Sequence, residues 1–207
     1  DKYAAMALLA RVYFFKKDYA KAAEYAGYVI GNSNYELDDD VLALFQAETT
    51  TKECIFQLMS TLKNNSSGTL VSFYRKASNG KFGPSQGMWD IVTQDTAIDQ
   101  RAKKWYAIIN GKYYTTKFDQ RFVHVTLFRL SEMYLTRAEA RLNLGDAAGA
   151  LADFNKVHTR AGFDPATSVT LNDLYNERLK ELAFEGDHFH NLKRLEKDIA
   201  GQPYAQI

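Results

Sequence analysis

Apolar residues recur at helical spacing at the start of the chain. Residues 3–16 are rich in Ala and Leu and place Met6, Leu9, Ala10, Tyr13 and Phe14 on one face, which predicts an amphipathic helix. Lys16-Lys17-Asp18 then makes a turn, with Asp18 positioned to cap a second helix. That helix carries Ala22, Ala23, Ala26, Val29 and Ile30 and ends at Gly31, a residue suited to the C′ position. The layout returns later: residues 126–144 predict one helix, Gly145-Asp146 a turn, and residues 147–161 another helix, ended by Gly162. Ala10 and Ala138, Asp18 and Asp146, Ala22 and Ala150, Ala26 and Phe154, and Val29 and Val157 all lie 128 positions apart.

Small residues at these positions let antiparallel helices approach closely where they cross, as in a tetratricopeptide hairpin. The offset is far from the roughly 34-residue period of a tandem array, so no regular solenoid is expected. The predicted fold is mainly α, with tetratricopeptide-like helical hairpins, a loop-rich insertion and a small β-hairpin. Its segments are a first hairpin (1–31), the insertion (32–124), a second hairpin (125–163) and a C-terminal helical segment (164–207), all within one domain over 1–207.

The insertion has a different texture. Glu53 to Leu58 reads as a short strand or buried extended segment. Residues 63–87 collect Gly, Ser and Asn and predict loop, with Phe73, Tyr74 and Phe82 embedded in it. Residues 88–99 predict a helix. Residues 103–118 predict an aromatic β-hairpin turning at Asn110-Gly111, a pair that tolerates the positive φ of a type I′ turn. Its register pairs Tyr106 with Thr115, Ala107 with Tyr114, Ile108 with Tyr113 and Ile109 with Lys112. Both faces carry aromatics, so the pattern leaves the inward face open. Beyond Asp164-Pro165, a last strong helix is expected over 171–185, with Thr170 as N-cap and Asp173 completing a capping box.

Composition adds one point of interest. The 207 residues are 46% hydrophobic and 25% charged with a net charge of +1, a globular balance without the basic footprint of a nucleic-acid binder. Aromatics reach 14%, enough that their placement matters. Aromatic rings fill cores, and they also stack on the C–H faces of sugars. No run approaches the roughly 18 apolar residues of a membrane span. The helix pattern begins at once, so any export signal is expected to lie before residue 1. Cys54 is the sole cysteine, which excludes an internal disulfide and reads as a small buried hydrophobe.

Three segments resemble the SusD-like (SusD/RagB) family. Phe128-Arg129-Leu130-Ser131-Glu132-Met133-Tyr134-Leu135-Thr136-Arg137-Ala138-Glu139-Ala140 is similar to its R-L-x-E-x-Y-L-x-x-A-E-A run. Asn155-Lys156-Val157-His158-Thr159-Arg160-Ala161-Gly162 resembles its L-N-x-V-R-x-R-A-G helix end. Glu177-Arg178-Leu179-Lys180-Glu181-Leu182-Ala183-Phe184-Glu185-Gly186 resembles its E-R-x-x-E-L-A-F-E-G signature. Ala7 to Tyr13, Glu53 to Phe56 and Asp99-Gln100-Arg101 support the match in the family's order. His158 and His188 stand where Arg is usual, and Asn191 where Asp is usual.

The resemblance implies a non-catalytic lipoprotein of the outer membrane and cell surface. Such a protein captures oligosaccharide or polysaccharide and hands it to a SusC-like TonB-dependent transporter. It would hold the membrane through an N-terminal lipid anchor preceding residue 1, and would use no cofactor, metal or nucleic acid. The alternative is a helical protein–protein scaffold with no sugar site in this segment.

The charged motifs fit either role. Glu132, Glu139, Glu181 and Glu185 lie among Arg129, Arg137 and Arg178, where pairing keeps carboxylates ionised instead of making a proton donor. Local i,i+3 and i,i+4 pairs are expected, Arg129 with Glu132 among them. His188-Phe189-His190, with Asp187, could suggest a metal site, but no other His lies nearby in sequence. The candidate glycan contacts are Phe73, Tyr74, Arg75 and Phe82, with Asn64, Asn65 and Asn79 as hydrogen-bonding partners. A purely structural aromatic cluster beneath the loop is the competing reading of the same residues.

Overall fold

The computed structural model describes residues 1–61, 63, 70–74, 82–120 and 124–198. Among them are ten helices and two antiparallel two-stranded sheets, a mainly α fold. The chain divides into two compact units. One comprises residues 1–33, 130–158 and 165–207; the other comprises residues 34–129 and 159–164.

The first unit is helical. α1 (Lys2–Phe15) is capped by Asp1, and α2 (Tyr19–Ile30) by Asp18, whose carboxylate accepts from the Lys21 N–H at 3.2 Å. α7 (Leu130–Asn143) and α8 (Ala147–Arg160) repeat the arrangement, with Asp146 accepting from the Gly149 N–H at 2.8 Å. Lys21 and Gly149 are themselves 128 apart, so even the cap obeys the offset. Ala10, Ala22, Ala138 and Ala150 are fully buried, as close helix crossing requires. Phe154, at the position equivalent to Ala26 of the first hairpin, packs with Ala138 and Leu174. Gly31, expected as a left-handed C′ residue, is instead right-handed at φ −72°.

α9 (Leu171–Glu181) opens with the predicted Thr170–Asp173 capping box. It stops four residues short of expectation, and Phe184 and Gly186 then take positive φ at the start of α10 (Asp187–Arg194). This separate helix was not legible in the sequence, because polar side chains hide its buried side, Asn191 and Arg194.

Arg178 ties these helices together. Its Nε and Nη2 donate to both Asp187 oxygens at 2.8 and 2.6 Å, and its Nη1 donates to Thr136 Oγ1 at 3.0 Å. Glu132 lies 3.9 Å away and is held by a two-pronged Arg11 contact at 2.7 Å per prong. The buried ring of Phe14 lies under two guanidiniums, Arg178 at 4.7 Å and Arg194 at 4.0 Å. Burial alone would lower the Arg178 pKa, but Asp187, Glu132 and Glu139 outweigh it and raise it above its ordinary value. Long-range pairs engage several of these charges: Arg11 with Glu132, Arg137 with Asp153, and Arg194 with Glu139.

The second unit holds both sheets. β1 (Cys54–Leu58) pairs antiparallel with β4 (Val125–Arg129). Residues 126–129, expected at the start of a helix, are therefore strand. Val125, Thr126 and Phe128 are β-branched or aromatic, and pairing with β1 decides their conformation. Glu53, just before β1, is buried between Arg129 at 2.9 Å and Arg160 at 2.7 Å. The helix expected over 88–99 is α5 (Gln86–Val92), ended as the Thr93 hydroxyl bonds the Trp89 carbonyl at 2.6 Å. Asp99 then caps α6 (Gln100–Lys104) and grips Arg101 through two side-chain bonds at 3.0 and 2.9 Å.

β2 (Tyr106–Ile109) and β3 (Lys112–Thr115) form the predicted hairpin in the predicted register. Asn110 (φ 50°) and Gly111 (φ 74°) make the turn. Neither face alone is inward: Trp105, Tyr106, Tyr114 and Thr115 are all buried at the open end, while Ile108 near the tip is exposed.

Candidate functional site

Residues 63–87 were expected to be loop throughout. Instead α3 (Ala43–Gln46) precedes them, and the short α4 (Leu70–Tyr74) lies among them, carrying Phe73 and Tyr74. Phe82 returns to this helix, its N–H bonding the Phe73 carbonyl at 3.0 Å. The three aromatics predicted from sequence come together. Phe73 and Phe82 have ring centroids 5.4 Å apart, and Tyr74 and Phe82 6.3 Å. Phe82 is 54% exposed, whereas Phe73 and Tyr74 are half-buried. Arg75, Asn64, Asn65 and Asn79 lie outside the described residues.

Behind this surface group the rings continue inward. Tyr74 meets the buried Phe118 at 5.6 Å, Phe118 meets Phe45 edge-on at 6.0 Å, and Phe45 meets Trp105 edge-on at 5.8 Å. Edge-to-face geometry puts positive ring edges on negative ring faces. At the inner end, the buried Lys117 ammonium sits 3.8 Å from the Trp105 ring centre and 4.7 Å from that of Phe45. Phe82 is thus the exposed end of a rigidly backed row, which is what a stacking platform needs.

A second aromatic group adjoins it. Gly83 lies so close to the Tyr113 carbonyl that an added Cβ would collide with it. Tyr113 stacks on Trp89 at 4.3 Å and 16°, and its hydroxyl donates to Gln86 Oε1 at 2.7 Å. Gln86 in turn donates to Asp90 at 2.7 Å, so exposed amide and carboxylate groups border the rings. Trp89 is half-buried against the hairpin. The hairpin register sets Tyr113 opposite Ile108, and nothing in the sequence signals its pairing with Trp89.

The cysteine and three of the histidines make structural contacts. Cys54 is buried, and desolvation together with Asp38 and Glu53 pushes its thiol up to about 11. His158, where the family pattern has Arg, keeps a polar contact to Glu177 at 3.2 Å and stacks on Phe154. His188 and His190 contact Tyr175 and Phe15. Among the described residues no three His, Cys, Asp or Glu side chains gather to hold a metal, and no helix is long and apolar enough to cross a membrane.

A mainly α architecture of helical hairpins, with an aromatic-rich unit of small sheets, defines the class. The sequence model of the SusD family matches residues 45–206, and this chain belongs to that family. Solved structures agree in fold. A SusD superfamily protein of Bacteroides thetaiotaomicron is 26% identical with a TM-score of 0.81, the match covering 95% of this chain and 50% of that one. A SusD-like carbohydrate binding protein of Bacteroides vulgatus is 22% identical (TM-score 0.78, 95% and 46% covered). Surface glycan-binding protein A of Bacteroides uniformis is 20% identical (TM-score 0.73, 96% and 50% covered). The chain spans about half the length of these solved relatives. No curated protein matches it.

Proposed function

We propose that this chain is part of a non-catalytic, cell-surface glycan-capture lipoprotein, with both units belonging to one SusD-like domain over 1–207. It would bind oligosaccharide or polysaccharide and pass it to a SusC-like TonB-dependent outer-membrane transporter. The observation that carries the reading is the Phe73–Tyr74–Phe82 group, with Phe82 open to solvent and the row behind it anchored on Trp105. A sugar ring would lay its C–H face on Phe82, while its hydroxyls reach Arg75 and neighbouring amides. Membership of a family that includes carbohydrate- and glycan-binding proteins supports the ligand class.

The test is a glycan panel titrated calorimetrically against the chain and its Phe82→Ala variant. Saturable binding of at least one glycan, weakened about tenfold or more in the variant, is expected from loss of one stacking contact. Binding that ignores Phe82→Ala and Tyr74→Ala would remove this site. Release of reducing sugar by the purified protein would overturn the non-catalytic role.

A second reading has its own observation. Leu8, Leu9 and Val12 of α1 are 49%, 36% and 42% exposed, which favours protein contact through the helical unit. Co-purification with a transporter, lost in Leu8→Glu/Val12→Glu, would support that role for this surface.

A further inference from the structure

Within the helical unit, a cavity of about 340 Å³ opens between the C-terminal ends of α1 and α10. Its lining is Phe15, Lys17, His190, Lys193, Arg194 and Glu196. Nothing in the glycan-capture reading uses these residues.

The backbone at its mouth is unusual. Three helices of this unit end alike: Lys17, Gly145 and Glu196 each bond a carbonyl three residues back, and the next residue bonds one five back. This geometry needs a left-handed residue, and φ is 61°, 86° and 55° respectively. Glycine adopts it without cost and stands at the end of α7. At the two ends facing the cavity, side chains of opposite charge stand instead and meet across it, Lys17 Nζ to Glu196 Oε1 at 3.5 Å. Lys17 and Gly145 are equivalent in the two hairpins, so glycine is evidently compatible with this turn. A left-handed non-glycine residue that lines a depression points to a use for its side chain.

The walls indicate what fits. Phe15 and His190 have ring centroids 5.4 Å apart at 31°, giving an aromatic flank. Arg194 is buried, its guanidinium already held by Glu139 at 2.7 Å and by Asn191, so it forms a fixed polar floor. Lys193 is exposed and makes no ion pair among the described residues. The depression is open to solvent, and its volume of about 340 Å³ is of the size that a single ring would occupy. One uncommitted cation, one cation in a weak exposed pair, a hydroxyl-accepting carboxylate and an aromatic flank match a sugar ring bearing a carboxylate.

We propose that this cavity binds a hexuronic acid residue, its carboxylate on Lys193 and Lys17, its hydroxyls on Glu196 and its ring against Phe15 and His190. The site is separate from the Phe82 platform and rests on the glycan-capture reading only for the kind of ligand.

D-Galacturonate and D-glucuronate, with D-glucose as the neutral control, would be titrated against the full chain with NMR or calorimetric readout. Saturable binding of a uronate but not glucose is expected. Lys193→Glu should weaken it about tenfold or more. Lys17→Gly, which relieves the strained turn and so should fold at least as well, should weaken it too. Phe82→Ala should leave it unchanged, which keeps this outcome distinct from that of the platform. Failure of both uronates to bind at millimolar concentration would overturn the proposal. So would equal binding of glucose, or binding indifferent to both lysine variants.

Discussion

The two units solve the same electrostatic problem with opposite signs. In the helical unit a buried arginine, Arg178, is held by the acids Asp187 and Glu132. In the sheet-bearing unit a buried acid, Glu53, is held by the arginines Arg129 and Arg160. The difference lies in what else supports the central group. Arg178 also rests on the Phe14 ring and donates to Thr136, so packing shares the work. Glu53 also accepts from the Asp38 N–H at 3.3 Å, so its carboxylate is held by hydrogen-bond donors and guanidiniums. An arginine can be stabilised by acids and by ring faces; a carboxylate depends on donors alone.

The sharpest way to break the comparison is Glu53→Gln. It removes the carboxylate charge shared by Arg129 and Arg160, and a loss of about 3–5 kcal/mol is expected in denaturant unfolding. The same variant should expose Cys54, so alkylation of this otherwise inert thiol at pH 8 should accelerate. An unchanged midpoint and an unreactive thiol would show that Glu53 is dispensable.

Arg178→Lys should cost less, about 1–3 kcal/mol, because charge remains while the two-pronged contact to Asp187 and the face on Phe14 are lost. A loss equal to that of Glu53→Gln would erase the proposed distinction. Gly83→Ala should fall in the same range, about 1–3 kcal/mol, because its Cβ would strike the Tyr113 carbonyl. It should also weaken the proposed glycan binding by displacing Phe82, whereas Phe82→Ala should change stability by only about 0.5 kcal/mol or less.

The smallest effect concerns pH and the helical unit alone. Burial, aided by Lys197 and opposed by Asp187, lowers the His188 pKa below its ordinary value. The unfolded chain then binds the proton more readily. This contribution to stability is present above about pH 6.5 and lost as pH falls through the folded-state pKa. Unfolding midpoints across pH 7 to 5 should show a shallower fall in His188→Gln than in the parent.

Local rules determined several elements outright. The Asn110-Gly111 turn, the hairpin register and the Thr170–Asp173 capping box depend on neighbours a few residues apart, so the sequence alone specifies them. The 128-residue offset likewise told where alanines must be buried, since close helix crossing admits nothing larger. Tertiary structure decided what local rules leave balanced. Residues 125–129 could begin a helix until β1 offered a partner. The acidic and basic residues of 129–139 could pair along their helix until Glu53, Arg11, Asp153 and Arg194 came nearer with better geometry. The candidate platform stands between these cases. Its aromatics were visible because rings in a polar stretch lack an obvious local burial partner. That Phe73, Tyr74 and Phe82 meet, and that Phe118 and Phe45 back them, follows from contacts across distant segments, which no local spacing records.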